Sequence, residues 1–470
     1  MPKQIDILLI NPPLTLKERY GNLAAGGEKM VPLGLCYLAA AARYEGFNIE
    51  IIDAEAQNLN FNDVVNRVVI KSPSVVGFTA VTASIYKVAM LAEAIKKNDP
   101  SIYIVLGGPH ISAAFTQTMQ RFPQFDFGII SEGEISLVKL LKKLLRKKRV
   151  DDVPGLVIRE NGAVRLSSPV SPITNLDELP LPAWDLLEGF PQKYTLNVHT
   201  YGKTPAASLI TSRGCNGRCV FCDQSVFGNK VRFYSCQYII RLIKYLIKNY
   251  NIKEISFQDD NFLASAGRVK EICSSIIKEK LDISWTCHAR VDAVDAEILK
   301  MLKMAGCWEI AYGFESGSQK ILNILNKGIT LEQNVDAAKV TKKAGIRVRG
   351  LFIIGSPGEG VVDFEKTINF VLNNEIDAVS MMNFTPFPGT EIYSKVRQYG
   401  VIEDNWSKMN LWTPTFVPYG LSKEQIKIYS KRFFKSFYFR TKIIWEHLKN
   451  VKSFRHFIKL VHSAWGVVRF

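Results

Sequence analysis

The feature that most constrains this chain is one loop. Arg213, Gly214, Cys215, Asn216, Gly217, Arg218, Cys219, Val220, Phe221 and Cys222 set three thiols within eight positions. A structural zinc site normally takes four protein ligands, and no Cys or His pair at suitable spacing lies nearby to supply the fourth. A 4Fe-4S cluster held by three thiolates leaves one iron open to an exogenous ligand. From the loop alone, a zinc knuckle or chance clustering stays open as the alternative. Eight cysteines in 470 residues are too sparse for a disulfide scaffold. Cys36, Cys236, Cys273, Cys287 and Cys307 stand singly in apolar patterns and read as small core hydrophobes. Cys287 is the least secure of these, lying near a strand end expected to face the site.

Around this loop the chain alternates short β-branched runs with helical patterns, which predicts an α/β protein. Five strands are expected at 5–10, 49–53, 75–79, 102–106 and 127–130, a parallel sheet of flavodoxin-like, Rossmann-like type over residues 1–150. Ligands of such sheets bind beyond the carboxyl ends of the strands. Residues 151–200, rich in Pro, read as a linker. From 201 to 420 six further strands are expected, at 208–211, 254–258, 284–288, 309–313, 350–354 and 378–384. That is a partial (β/α)6 TIM barrel, since a full eight-fold barrel needs about 250 residues. Residues 421–470 read as a helical tail.

The formal net charge is +16, and 431–470 holds ten Lys or Arg against Glu446 alone, leaving +7 for the other 430 residues. Tyr429, Phe433, Phe437, Ile444 and Leu448 form an apolar helical stripe flanked by Lys431, Arg432, Lys435, Arg440 and Lys442. Two uses of residues 426–470 follow: peripheral contact with an anionic membrane, or packing on the barrel. No apolar run of eighteen residues and no charged, apolar leader appear, which predicts a cytoplasmic protein, with a peripheral position at the inner membrane face as the alternative. The long segment between Leu14 and Pro32, with Gly21, Gly26 and Gly27, lacks the Gly-Lys-Ser/Thr ending of a phosphate loop. It reads as a flap near a ligand or as plain disorder.

The thiol loop, with Phe221 before its last cysteine, resembles that of the radical S-adenosylmethionine superfamily. The resemblance implies that Cys215, Cys219 and Cys222 bind a 4Fe-4S cluster, whose open iron takes the amino and carboxylate groups of S-adenosylmethionine. Reductive cleavage then gives a 5′-deoxyadenosyl radical that abstracts hydrogen. It also implies cofactor contacts for Phe221; for Asp259 and Asp260 after the second strand, toward the amino group; for Arg290, toward the carboxylate; for Glu315 and Ser316, toward the ribose; and for Gly355 in the run Gly350 to Glu359, toward adenine. Phe387, Pro388, Gly389 and Thr390 follow the sixth strand as in relatives.

The first domain resembles the cobalamin-binding module fused ahead of many such enzymes, on the strings Ile10 to Pro13, Pro32 to Ala40, Val105 to His110 and Ser131 to Glu134. Asn11, Thr79, Gly107 and Gly108 are the expected cobalamin contacts, the glycines permitting close backbone approach. Where histidine-ligating modules carry Asp-x-His, this chain has Asp53, Ala54 and Glu55. Cobalamin is therefore expected without a histidine on cobalt, and His110 is expected to be a capping or loop residue.

Together these resemblances imply methylation of an unactivated carbon of a small, apolar substrate, with electrons from a donor such as flavodoxin or ferredoxin. Oxidative cyclisation of a magnesium-porphyrin ester with the same cofactors is an alternative, and so is a cobalamin-binding sensor or docking protein with an inactive barrel. Nucleic acid is not expected: methylthio-transferring relatives carry a second cysteine triad, whereas Cys36 is the sole cysteine before Cys215.

Overall fold

A computed structural model describes residues 4–21, 24, 27–194, 202–451, 457–458 and 460–462. Seven strands come first: β1 (Ile7–Asn11), β2 (Ile49–Asp53), β3 (Val75–Thr79), β4 (Tyr103–Gly107), β5 (Phe127–Ile129), β6 (Leu156–Glu160) and β7 (Ala163–Leu166). They form one sheet of order β2-β1-β3-β4-β5-β6-β7, parallel through β5 and antiparallel at β6 and β7. Helices α1 (Leu16–Tyr20), α2 (Leu33–Tyr44), α3 (Phe61–Lys71), α4 (Ile85–Asn98), α5 (Pro109–Arg121) and α6 (Glu134–Leu144) connect the parallel strands. Ile7, Leu8, Leu9 and Ile10 are all buried, as a parallel strand covered on both faces requires. The order of strands reverses at β1 and β3, so their carboxyl ends open a crevice.

The stretch read as a linker is partly sheet. Its residues 156–166 are the β6–β7 hairpin, turning at Asn161 and Gly162, both at positive φ, the pairing that a two-residue hairpin turn favours. Further on, Leu176, Ala183 and Trp184 are buried in the main core. The expectation for 195–200 lies outside the described residues.

The second body holds β8 (Ala206–Leu209), β9 (Ser212–Arg213), β10 (Arg232–Phe233), β11 (Glu254–Phe257), β12 (Ser284–Ala289), β13 (Cys307–Glu315), β14 (Arg347–Ile354) and β15 (Ala378–Asn383). Six of them form a parallel sheet of order β15-β14-β13-β12-β11-β8, the expected partial barrel. Helices α7 (Cys236–Tyr250), α8 (Ala266–Lys278), α9 (Ala296–Met304), α10 (Gln319–Ile324), α11 (Leu331–Lys343) and α12 (Val361–Asn373) lie between the strands. A small hairpin of β16 (Gly400–Ile402) and β17 (Phe416–Pro418) was not anticipated.

The tail is α13 (Lys423–Tyr438) and α14 (Thr441–Lys449). Its first turns pack on the barrel: Phe433 and Phe437 are fully buried, Phe433 edge-on to Phe352, and Tyr429 rests on Phe364. Ile444 and Leu448, later in the same stripe, are exposed, and 452–456, 459 and 463–470 lie outside the described residues. Among the described residues no helix is long and apolar enough to cross a membrane. Phe433→Ala is expected to lower unfolding free energy by about 3–5 kcal/mol, whereas Ile444→Ala should change it by less than about 0.5 kcal/mol, measured by denaturant unfolding.

Candidate active site

The thiol loop is tied at its neck, where β9 pairs antiparallel with β10 through Arg213 opposite Arg232 and Ser212 opposite Phe233. Gln224 braces it from within, its Nε2 donating to the carbonyls of Cys215 and Gly217 at 2.9 Å each. Outside contacts hold its far side: Val220 N donates to Leu325 O, and Asn326 Nδ2 to Arg218 O. A Cβ placed on Gly217 would lie 3.4 Å from Cys215 Sγ, 3.8 Å from Cys219 Sγ and 3.2 Å from Arg290 Nη1. The position therefore calls for glycine, because two sulfurs and a guanidinium crowd around it. Among the described residues no three Cys, His, Asp or Glu side chains converge on a single-ion site. Three thiols on one loop are a donor set that suits a group with separate metal corners, each taking one sulfur. Burial raises the Cys219 thiol above its ordinary range, so a metal binding there displaces a proton.

Three expected residues gather beside the trio. Arg290 Nη1 stands 3.9 Å from Cys219 Sγ while its Nη2 donates to Lys327 O at 2.9 Å. Asp260 lies beside the Gly214 N–H, and its charge reaches Cys222. Glu315, at positive φ, pairs with Lys327 at 2.6 Å, both buried. Lys327 was not anticipated; it stands close enough to Cys219 for its charge to lower that thiol's pKa. Phe221 packs into the satellite core of Ile321, Leu325 and Phe384. Gly355 takes a left-handed turn, and its N–H donates to Glu359 at 2.5 Å.

Two other expected residues are engaged within the protein. Asp259 is fully engaged below the loop, accepting from Thr211 N, Thr211 Oγ1 and Ser212 Oγ at 2.6 Å each, so it anchors the loop from beneath. Ser316 is buried against α12, its hydroxyl 3.2 Å from Thr367 Oγ1 and accepting from Ser318 N. Cys287 is buried in the main core with Cys307 and Cys273.

At the carboxyl ends of the first sheet lies a cavity of about 490 Å³, whose lining includes Asn11, Thr79, Gly107 and Gly108, together with Ile210, Arg213, Val226 and Phe227 from the thiol loop and its flanks. Gly108 sits at φ +96°, where a Cβ would meet Thr79 Oγ1 at 2.6 Å. Glu55 also lines the wall, paired with Arg19 at 2.6 Å. Burial pushes its carboxyl up to about 7, and its Oε1 is buried without a partner. Apolar walls and one orphaned polar atom fit a large macrocycle with hydrogen-bonding arms. His110 stays outside: it is fully buried, its Nδ1 3.2 Å from Thr82 Oγ1 and its Nε2 3.1 Å from Thr118 Oγ1.

A buried ion-pair group joins the two sites. Arg213 donates to Glu132 at 2.6 Å and to Glu134 at 2.7 Å, and Arg232 donates to Glu132 at 2.6 Å. Ser131 Oγ adds a bond to Val226 O. Sequence reading quoted both strings without pairing them.

Comparison with known proteins agrees with this layout. The Radical SAM superfamily model matches residues 209–371, and the B12 binding domain model matches 21–141. An uncharacterized methyltransferase of Pyrococcus horikoshii is 34% identical over 99% of both chains. The anaerobic magnesium-protoporphyrin IX monomethyl ester cyclase of Rubrivivax gelatinosus is 26% identical over 86% of this chain and 74% of its own. In fold, the chain is similar to the cobalamin-dependent S-adenosylmethionine radical enzyme OxsB solved with aqua-cobalamin and S-adenosylmethionine, with a TM-score of 0.78 at 20% identity, over 99% of this chain and 72% of that one.

Removing Arg213 leaves two buried carboxylates short of a cation. Arg213→Ala is expected to cost about 3–5 kcal/mol in denaturant unfolding and to reduce iron retention, whereas Arg43→Ala, which breaks the exposed pair with Asp185, should cost under about 1 kcal/mol.

Proposed function

The chain belongs to the cobalamin-dependent radical S-adenosylmethionine enzymes, and we propose that it transfers a methyl group to an unactivated carbon of an organic substrate. Its cofactors are a 4Fe-4S cluster, S-adenosylmethionine and cobalamin. The observation that carries the reading is a shared wall: the loop bearing Cys215, Cys219 and Cys222 is flanked by Arg213, Val226 and Phe227, which line the cavity of the first domain. When bound, the cluster with S-adenosylmethionine supplies a carbon radical, and cobalamin supplies a methyl group.

The chain's own residues hold and shield these reactions. Arg290, its Nε and Nη2 held by Asp292, keeps Nη1 beside Cys219, suited to orienting a carboxylate; Lys327 is paired with Glu315, and Asp260 offers an acceptor near Cys222. Leu9, Val31, Val105 and Ile129 wall the cavity and exclude water from the reacting carbon. Glu55 and Arg19 fill the place a ligating histidine would take. Cys222 lies toward the surface, where a small electron donor such as flavodoxin or ferredoxin can approach.

The test is anaerobic reconstitution with iron, sulfide and hydroxocobalamin, followed by turnover with methyl-deuterated S-adenosylmethionine and a strong reductant. Deoxyadenosine and a product carrying the deuterated methyl group are expected, and Cys222→Ala should abolish both. Deoxyadenosine with an unlabelled, oxidised product would instead favour the chemistry of the cyclase relative. Full iron loading without any deoxyadenosine would sink the radical reading.

A further inference from the structure

A second cavity, of about 390 Å³, lies beside the first. The segment around α1 separates them: Leu14 and Arg19 face the first cavity, and Lys17, Glu18 and Tyr20 face the second. Its floor is Asn383, the last residue of β15, whose register partner is Ile354 at the end of β14. The second cavity therefore reaches the carboxyl end of β15, the end of the barrel strands from which the thiol loop also follows β8.

Its walls are chemically unlike those of the first. Lys17 and Lys427 both line it, and neither has a carboxylate partner among the described residues. Asn383, only 6% exposed, and Ser430, 4% exposed, line it, Asn383 Nδ2 donating to Leu411 O at 3.3 Å, and Asn410 lies alongside. The one acidic residue among the lining, Glu18, is already neutralised, its Oε1 bound to Lys87 at 2.6 Å and its Oε2 accepting from Thr15 N and Oγ1. Trp412, in contact with Tyr20 at 6.0 Å between ring centroids, closes the side toward α1. Two ammonium groups on the rim of one cavity, with the Ser430 hydroxyl among its lining, are a receptor for an anion.

We infer that this cavity holds an anionic group of the substrate, a phosphate or a carboxylate, between Lys17 and Lys427; the inference rests on the methyl-transfer reading for calling the ligand a substrate. The apolar character expected of the acceptor then narrows to the reacting carbon, and the charged end sets which carbon that is.

The experiment uses protein loaded with cluster and cobalamin, titrated with inorganic phosphate and, separately, acetate, by calorimetry. Saturable binding is expected, with Kd raised at least about ten-fold in the Lys17→Gln/Lys427→Gln double variant, since each lost charged contact is worth about ten-fold. The Lys17→Arg/Lys427→Arg double variant should keep it. Preference for phosphate points to a phosphorylated substrate, and preference for acetate to a carboxylic acid. Binding equal in the wild type and the glutamine variant, or none in the wild type, overturns the inference. Deoxyadenosine formation, followed in parallel, separates the two readings: deoxyadenosine without saturable anion binding removes the anion site alone, and anion binding without deoxyadenosine removes the radical reading alone.

Discussion

Two carboxylates and two guanidiniums, all but excluded from water, set the distance between the halves of this protein. Glu132 alone accepts from Arg213, Arg232 and the backbone of Ile173. Such a group gains little over an apolar patch of equal size, because removing charges from water costs as much as their attraction returns. What it adds is direction. Planar guanidinium forks meet carboxylates in few geometries, so the loop after β5 and the neck of the thiol loop have one way to fit. Chemistry between two separately held groups loses rate steeply with a misplacement of about 1 Å, and an oriented ionic joint controls that better than greasy contact.

The first cavity shows how a binding site can be defined by what is kept out of it. His110 follows the Gly107–Gly108 turn, yet both its nitrogens are taken by threonine hydroxyls, its ring meets Trp406 edge-on, and burial lowers its pKa to about 4. Asp53, which precedes the substituted position, spends its oxygens on Asn11 and Tyr194. The carboxyls and guanidiniums in the lining are paired with one another, Glu55 with Arg19 and Glu132 and Glu134 with Arg213, and among the described residues the lining includes no histidine or cysteine.

The parts legible in sequence were those carried by spacing. The thiol triad, the alternation of strands and helices, and the glycines after β4 all depend on intervals along the chain, and the structure places them accordingly. Side-chain direction was harder. Asp259 and Asp260 are neighbours at a strand end, where successive residues point to opposite sides; one carboxylate faces the loop's underside and the other its ligand side, and nothing in the string says which. Glu315 and Ser316 divide in the same way across a left-handed residue. The β6–β7 hairpin was readable from Asn161 and Gly162 between β-branched runs, but the prolines beyond drew attention to a strap. Lys327 had no local signal, because its role comes from a contact with Glu315 across the turn after α10. The apolar stripe of the tail was visible, whereas its division into a buried front and an exposed end is set by the shape of the barrel.

A barrel that stops at six strands leaves β15 with an unpaired backbone ladder. Tyr438, from the last turn of α13, meets that ladder twice: its hydroxyl donates to Val379 O at 2.8 Å and accepts from Val379 N at 3.3 Å. A single phenol thereby mimics a neighbouring strand at one rung, and the bulk of the helix blocks the rungs beside it. Exposed rims of this kind invite sheets from separate molecules to zip together into aggregates. Helix α13 thus serves as a stopper on the outer edge of β15, where an incomplete barrel would otherwise offer its rim to another sheet.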